Sequence, residues 1–379
     1  MKQAFPSIST EEAEVHIIGK ERTAELREAL AEFDHRTLAS AGVNFCSRVM
    51  LYLACFWGVL VLESDLLRLG ASFFLGLFSG NLFMFGHDAC HGSYVRSPRL
   101  NRILGRIAFL PSYHSYSLWE YFHNRVHHPY TNLRTKDWVW VPLSKEEYDR
   151  LSPSARLMQR MYRSTPGLAL YYFNEVWRVK MVLPNRRLLK RIRRIHWLDA
   201  WLVTGYVLLQ LGVLVWVATV THPHRYADPV DWLKGLFYLY LLPFAIFNWL
   251  IGFVVYFNHT HPDIPWFARE EEWNFYRGTI HGTVGVRFPR WARWFSAEIM
   301  HHTAHHLRVG IPLANLGAAQ RKLEGLLGDE AMVVDWNFRN HHKILSQCKL
   351  YDYEAHAWRD FSGRVASRTP RSRAKWKVV

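Results

Sequence analysis

The sequence predicts an all-α integral membrane protein: four transmembrane helices with a cytosolic helical cap carrying a histidine-rich dinuclear metal site. Three features of the 379-residue chain lead to this fold class. Four apolar runs are long enough to cross a bilayer, basic residues concentrate in one long connection, and histidines gather in short clusters at or beyond the ends of the apolar runs. We expect three parts: a cytosolic lead-in over residues 1–43, a membrane domain over 44–323, and a cytosolic C-terminal segment over 324–379 with a basic tail.

The apolar runs approach the roughly 20 residues that a hydrocarbon core requires. The predicted spans are residues 44–62, 71–86, 198–220 and 236–257. The second run is short and borrows its flanks, and Pro243 interrupts the fourth. The alternative, in which these runs are buried helices of a soluble protein, is disfavoured because ordinary cores do not use four such runs.

The two ends of the chain differ from the apolar centre. The first 40 or so residues interleave Glu with Lys and Arg and lack the basic start and apolar core of a signal peptide, so we expect a mobile or amphipathic lead-in. The tail from Arg364 to Val379 is basic and is expected to be disordered or to lie on the membrane surface. Four scattered cysteines without a CxxC pair indicate neither a disulfide framework nor a zinc-thiolate site.

The distribution of basic residues predicts which side of the membrane each connection lies on. Between Arg96 and Arg194 there are 20 Lys and Arg residues, whereas the short connections 63–70 and 221–234 hold few. The positive-inside bias places the long connection in the cytosol, and four crossings then put both termini and every histidine cluster on that side. The net charge of +15 therefore indicates orientation and attraction to anionic lipid headgroups. It does not indicate nucleic-acid binding, because no accompanying recognition motif is present.

Twelve of the 21 histidines lie in or near four short clusters. The clusters are His87 and His91; His123, His127 and His128; His259 and His261; and His301, His302, His305 and His306, with His114 between the first two. Neutral imidazole is a common metal ligand, and spacings of three and four residues aim several rings from one helical face at one point. The clusters therefore predict a metal site.

The second cluster shows how one segment can serve two ions. His123 and His127 are four apart and are expected to share a helical face, while His128 points about 100° away. Pro129 then ends the helix. The HxxHH pattern of His302, His305 and His306 has the same geometry.

Nine rings are too many for one ion, so we expect two ions with four or five nitrogens each. The predicted metal ligands are His87, His91, His123, His127, His128, His259, His302, His305 and His306. Nitrogen-only ligation suits iron, copper or zinc. Of the remaining cluster members, His261 and His301 are expected to lie beside the ligands or to be exposed.

Two other uses of these residues remain open from the residues alone. Glu120 with His123 and Glu298 with His301 have the Glu-x-x-His spacing of carboxylate-bridged di-iron bundles, but that architecture needs four glutamates. A metal transporter would place its ligands at mid-bilayer depth, whereas these clusters lie at or beyond the span ends.

The motifs HDACH, HNRVHH and HTAHH resemble, in order and placement, the three boxes of the membrane-bound fatty acid desaturases of the histidine-box superfamily. The segments FNHTHPDIPWF and EEEWNFYRGT resemble delta-12 (omega-6) type acyl desaturases. The likeness covers residues 51–323. It implies two iron ions held mainly by the rings, and O2-dependent removal of two hydrogens from a fatty acyl chain to leave a cis double bond.

The chemistry agrees with this resemblance. Taking hydrogen from an unactivated methylene requires a redox-active metal, which excludes zinc, and ligands that survive oxidation, which disfavours thiolate. The alternative within the enzyme class is hydroxylation of an acyl chain, an alkane or a terpenoid, which begins with the same hydrogen removal. The sequence does not distinguish the two outcomes.

Supporting roles are predicted for neighbours of the boxes. Asp88 and Asn258 are expected to accept ring N–H bonds or to hold a water, and His114 to orient a ligand or to lie at the interface. Asp137 and Trp138 are expected to border the acyl tunnel. Arg125, Arg134 and Lys136 either contact lipid headgroups or receive an anionic group of the substrate.

The expected partners follow from what the chain lacks. No haem-attachment CxxCH and no flavin-binding glycine motif is present, so electrons must come from a ferredoxin, flavodoxin or cytochrome that docks on the basic cytosolic face. The acyl substrate is expected as a glycerolipid or a thioester, with membrane lipids around the spans and no nucleic acid.

Overall fold

The computed structural model describes residues 10–367, apart from the side chains of residues 10–18, 290 and 291. The first nine residues of the predicted lead-in and the tail beyond residue 367 lie outside the described residues. The α-helices are α1 (Thr10–Ala29), α2 (Leu38–Val61), α3 (Asp65–Cys90), α4 (Pro98–Phe109), α5 (Tyr116–Phe122), α6 (Lys145–Arg150), α7 (Pro153–Tyr162), α8 (Gly167–Tyr171), α9 (Arg194–Trp216), α10 (Pro229–Leu236), α11 (Leu242–His259), α12 (Arg290–Ser296), α13 (His302–Leu307), α14 (Leu313–Leu327) and α15 (Phe338–Gln347).

Shorter elements extend or join these helices. The π-helical turns are His123–His127, Tyr172–Met181, Val217–Thr221, Phe237–Leu241 and Arg277–His281, and the 3₁₀ turns are Ala31–Asp34, Leu110–Ser112, His128–Tyr130, Pro223–Tyr226 and Gly328–Glu330. Strands β1 (Gly285–Arg287) and β2 (Val333–Asp335) pair in parallel, and β3 (Leu350–Asp352) and β4 (Ala357–Arg359) pair antiparallel. These three-residue strands are the only departure from the predicted all-α class within the described part of the chain.

Four helical segments are long and apolar enough to cross a membrane, which confirms the predicted number. They are Leu38–Val61, Asp65–Cys90, Arg194–Thr221 and Pro229–His259. Each begins before the predicted run, and all but the first also end after it. The most apolar window of α3 is 67% buried, whereas those of α2 and α9 are each 22% buried. Helix α3 is therefore central, and α2 and α9 present apolar faces outward.

Pro243 does not break the fourth segment. The π turn Phe237–Leu241 ends two residues before Pro243, and Pro243 occupies the first turn of α11. A proline lacks the N–H that an α-helix would use, and a local wide turn accommodates this loss.

Glycines set the closest helix contacts. A Cβ atom on Gly76 of α3 would lie 2.7 Å from the carbonyl oxygen of Pro243, and one on Gly252 of α11 would lie 2.4 Å from that of Leu168 in α8. Small residues let helix backbones approach closely where lipid supplies little driving force for association. The α3–α11 contact brings the ends that carry His87 and His259 together.

The cap is tied to these helix ends by hydrogen bonds that involve backbone groups. Asp88 accepts from the N–H of Leu313 at 2.7 Å, which holds the start of α14 against the end of α3. Val284 N donates to Asn258 O at 2.8 Å. The described part of the lead-in also packs here, since Arg27 Nε donates to Leu307 O at 2.9 Å. Arg27 thus attaches the described part of this segment, for which we predict a mobile or amphipathic lead-in, to the last turn of α13.

Candidate metal centre

All nine predicted ligand histidines meet at the cap ends of α3 and α11. His87 and His91 come from the end of α3, His259 is the last residue of α11, and the others come from the α5 extension and from α13. Eight of the rings are buried and His91 is partly exposed. Chain segments more than 200 residues apart therefore supply one histidine centre.

The nine rings divide into a five-histidine group and a four-histidine group. The five-histidine group is His87, His91, His123, His128 and His305, and the four-histidine group is His127, His259, His302 and His306. Within each group one nitrogen of every ring lies within 4.8 Å of the others. This matches the division into four and five nitrogens that the sequence suggested.

Neighbouring Nε2 atoms are close together in both groups. In the five-histidine group, His123 Nε2 lies 2.7 Å from that of His87 and 3.0 Å from that of His128. In the four-histidine group, His259 Nε2 lies 3.2 Å from that of His127 and 2.9 Å from that of His302. Two nitrogens bound at about 2.1 Å and at right angles on one ion are separated by about 3.0 Å. The spacing therefore fits shared coordination.

The ring protons of the four-histidine group can be assigned. His127 Nδ1 lies 3.0 Å from Asp137 Oδ1, and His302 Nδ1 lies 3.2 Å from Ile299 O, so both nitrogens donate. His306 Nδ1 lies 3.0 Å from Thr131 Oγ1, whose own hydrogen is directed to His127 O. Three Nε2 atoms consequently present bare lone pairs to one point. Lone pairs this close repel each other unless a cation lies between them.

The five-histidine group has unsatisfied nitrogens. Within the described residues, His91 Nε2 and both ring nitrogens of His305 are buried without a hydrogen-bond partner. A buried polar atom without a partner costs about 1–3 kcal/mol, so such atoms indicate a missing ligand. The donor set therefore fits a metal in this group as well.

Burial keeps the rings neutral. Desolvation lowers the pKa of His91 and that of His302 to about 3. It also lowers the pKa of His123, His128, His305 and His306, and the neighbouring imidazoles add to the effect. A neutral ring keeps a lone pair for a metal, whereas a protonated ring does not.

The second box pairs its histidines differently from the helical expectation. His123 and His127 were expected to share a face, yet His123 joins His128 in one group and His127 belongs to the other. The reason is the π turn His123–His127, in which the His128 N–H bonds to His123 O. Bonding between residues five apart aligns i with i+5 rather than i+4. The segment still reaches both groups, as the three-ring pattern suggested.

Asp137 has a role that the sequence analysis missed. It was expected to border the acyl tunnel, and the structure places its carboxylate on His127, with a second bond from Asn132 N to Oδ2 at 2.9 Å. A carboxylate behind a histidine fixes the ring tautomer and orientation. The ten-residue separation between Asp137 and His127 is not a helical spacing, so no periodic signal could have identified the pair.

The other predicted supporting residues lie around the groups. Asn258 donates its amide to Met300 Sδ at 3.7 Å, and its Oδ1 has no partner within the described residues. His114 is buried, with Nδ1 at 2.8 Å from Ser112 O and Nε2 at 3.1 Å from Tyr172 Oη. His261 accepts from Asp263 N at 3.2 Å. None of these residues belongs to either histidine group.

The glutamates of the Glu-x-x-His pairs also lie outside both groups within the described chain. His301 Nε2 lies 2.9 Å from Glu298 Oε2, which turns this ring away from the groups. Glu120 lines a separate cavity on the other side of α5. The arrangement therefore has no feature of a carboxylate-bridged bundle.

A narrow, mainly apolar cavity contacts both groups. Its lining includes five ligand histidines of the two groups and apolar residues of α3, α11 and the Tyr172–Met181 turn. Trp138 is one of the lining residues, and its role beside the acyl chain stays a prediction. Phe83 also lines the cavity and belongs to a cluster of aromatic rings, with its centroid 4.5 Å from that of Phe109 and 5.4 Å from that of Phe247. The cavity has a volume of about 30 Å³, so its wall side chains must move apart to admit an acyl chain.

Comparison with known proteins gives the family. Residues 65–338 match the sequence profile described as "Fatty acid desaturase". The chain belongs to the fatty acid desaturase family. It is accordingly an oxidoreductase that acts on fatty acyl lipid, and the histidine centre lies within the matched residues.

Several relatives share most of the desaturase chain. An sn-1 oleoyl-lipid 12-desaturase of Picosynechococcus sp. is 25% identical over 352 residues, which cover 92% of this chain and 96% of the relative. One of Synechocystis sp. is 28% identical over 279 residues, 74% of each chain. The chloroplastic omega-6 fatty acid desaturase of Arabidopsis thaliana is 28% identical over 288 residues, 72% of this chain. That match spans 56% of the plant protein's length.

Proposed function

We propose that this desaturase uses O2 and two iron ions to introduce a cis double bond into a lipid-linked acyl chain. One observation carries the proposal: a narrow channel with a mainly apolar wall touches both histidine groups. His87 and His123 of one group and His127, His259 and His302 of the other line it. A methylene lying in this channel is therefore next to both metal positions.

The nine histidines would hold the irons, one ion in each group. Bound iron would supply the redox chemistry that removes hydrogen from an unactivated methylene. Nitrogen donors suit a first-row redox metal, and the described residues of the two groups include no thiolate. Asp137, Ile299 O and Thr131 fix three ring tautomers, so that Nε2 faces the shared point in each case.

The channel residues position the substrate and exclude water. Met84, Val139, Val176, Ile251 and Val254 give the wall an apolar surface. An acyl chain gains about 0.8 kcal/mol for each methylene that it buries, which suffices to hold it without a polar contact at the reacting carbons. The aromatic cluster beyond Phe83 limits how far the chain enters, and so determines which carbons lie beside the histidines.

The substrate class follows from the relatives. The Picosynechococcus and Synechocystis proteins are named for an oleoyl lipid and for position 12. We infer an oleoyl chain esterified to a glycerolipid as the substrate and position 12 as the site of the new bond.

The proposed topology has four crossings with the metal centre and both termini on the cytosolic side. The 20 basic residues between Arg96 and Arg194 support this orientation. Electrons then arrive from a soluble or membrane-attached donor in the cytosol. Labelling single introduced cysteines from outside the cell tests this: position 224 should react and position 187 should not.

Expression in a host without polyunsaturated lipids tests the function. Fatty-acid profiling should reveal a doubly unsaturated chain two hydrogens lighter than its precursor, with the new bond at position 12. A His305→Ala variant at equal membrane abundance should give none. A product heavier by one oxygen would assign the chain to hydroxylation instead, and an unchanged profile with dioxygen and a reducing system present would refute the proposal.

A further inference from the structure

A second cavity lies behind the helix that carries the second box. It has a volume of about 560 Å³ and opens to solvent. Its basic lining residues are Arg125, Lys136, Lys190, Arg191 and Arg193. The catalytic channel uses none of them.

The helix between this cavity and the metal centre has two functional faces. Ser117, Tyr121 and Arg125 recur every four residues and line the basic cavity. His123 and His127 lie on the opposite side and belong to the histidine groups. Val126 lines the cavity and is covalently joined to His127. A molecule in the cavity is thus separated from the metal positions by the thickness of one helix.

The charges in the cavity are largely uncompensated. Lys136 pairs with Glu270 at 2.8 Å, but Arg125, Lys190, Arg191 and Arg193 form no salt bridge with a carboxylate of the described chain. Glu120 is the one carboxylate in the lining, so a single acidic side chain faces five basic ones. Four exposed, unpaired cations around one concavity match a surface with several carboxylates better than a single lipid phosphate.

We propose that this basic cavity is the docking site of the electron donor, a small acidic one-electron carrier protein. The inference rests on the proposed function, which needs outside electrons. For each double bond, two carriers are each oxidised by one electron. The two electrons, two protons and the two substrate hydrogens reduce one O2 to two water molecules. The helix from Ser117 to His127 joins the docked carrier to the metal centre.

The test uses the full-length, iron-loaded protein in lipid nanodiscs and a plant-type [2Fe–2S] ferredoxin as the probe. Binding at low salt should weaken at least about tenfold in an Arg125→Glu, Arg191→Glu double variant, and the difference should shrink as salt is raised. Arg339→Glu, an exposed charge reversal on α15, is the matched control and should bind like the wild type. The rate at which reduced ferredoxin is oxidised should fall in the double variant only.

Other outcomes separate the two proposals. Ferredoxin affinity within twofold of the wild type in the double variant would overturn the docking site. The docking site would also be overturned if the double variant bound ferredoxin normally but bound phosphatidylglycerol in the nanodisc more weakly than the wild type. That result would assign the cavity to lipid headgroups. If dithionite supports no desaturation by the wild type while ferredoxin binding still depends on Arg125 and Arg191, the proposed function fails and the docking site stands.

Discussion

At the scale of single residues, the four-histidine group shows why the site suits a metal ion. His302 donates through Nδ1 to Ile299 O, so its Nε2 carries a bare lone pair. That atom lies 2.9 Å from His259 Nε2 and 3.0 Å from His306 Nε2. Neutral rings cannot all satisfy such contacts by hydrogen bonding, because each has one ring proton. The arrangement is electrostatically reasonable only with a cation among the nitrogens.

Replacing a ring of either group should remove metal, and replacing a nearby ring outside the groups should not. We expect His305→Ala and His127→Ala to lose most of the bound iron and all turnover while the protein still inserts, because each change deletes a donor of one group. His301→Ala is the matched control, since His301 lies outside both groups, with Nε2 2.9 Å from Glu298 Oε2. Iron per protein, measured by elemental analysis of purified samples, checks this. Full iron retention in His305→Ala would contradict the ligand assignment.

Asp137→Asn should weaken metal binding without removing a ligand. The carboxylate accepts from His127 Nδ1 on one oxygen and from Asn132 N on the other. An amide must turn its NH2 group towards one of these donors. Loss of such a supporting contact typically costs 10–100-fold in metal affinity or activity. Competition with a chelator of known affinity measures the change, and an affinity equal to that of the wild type would show that Asp137 does not orient the ring.

Much of the histidine centre could be predicted from the sequence, because the spacing of the histidines within each box is a local property of the chain. Residues four apart on a regular helix share a face, and His87 with His91 and His302 with His306 follow that rule. His123 and His127 are also four apart but belong to different groups, because the segment between them is a π turn, and no simple sequence pattern predicts a π turn. Asp137 reaches His127 through a folded-back loop, so its role depends on tertiary structure.

At the scale of elements, backbone contacts between helices fix the position of the box ends. The apolar runs predicted four spans because hydrophobicity and length are properties of the run itself. The contact of α11 with α8 could not be predicted in this way. It depends on Gly252 meeting a carbonyl of a short helix far away in the sequence.

Gly252→Ala should therefore destabilise the fold. Its Cβ would lie 2.4 Å from Leu168 O, so α8 or α11 must shift, at a cost of about 1–3 kcal/mol. Gly212→Ala on α9 is the control: its Cβ meets nothing within 4 Å, and alanine favours a helix more than glycine does. Thermal unfolding in detergent should show a lower midpoint for Gly252→Ala alone. Equal midpoints for the two variants would contradict the close approach.

At the scale of the whole molecule, the spans and the cap each supply part of one reaction chamber. Helices α3 and α11 bring apolar walls; α3 carries His87 in its last turn and α11 ends at His259. The cap closes the chamber with the second and third boxes and, at Asp88, holds α14 to α3. The sequence predicted these parts but not the channel between them, because the channel wall combines side chains from many separate segments.

Phe83 should set the depth of the channel. It lies one helical turn before His87 on α3, lines the channel and packs against Trp119 with ring centroids 4.8 Å apart. Phe83→Leu should deepen the channel, so that chains longer than the preferred substrate are accepted and the new double bond shifts relative to the chain end. The wild-type and variant enzymes would be compared by locating double bonds in lipids from cells fed acyl chains of graded length.

The control for this change is Phe78→Leu on the same helix. Phe78 contacts Trp294 and Phe295 instead of the channel, so its product profile should match that of the wild type. Both variants remove a similar buried area, and equal protein abundance and iron content separate specificity from stability. If Phe83→Leu kept both the wild-type chain-length range and bond position at equal iron content, the channel would have to end elsewhere. If both variants shifted the products alike, the effect would come from loosening of α3 and not from channel depth.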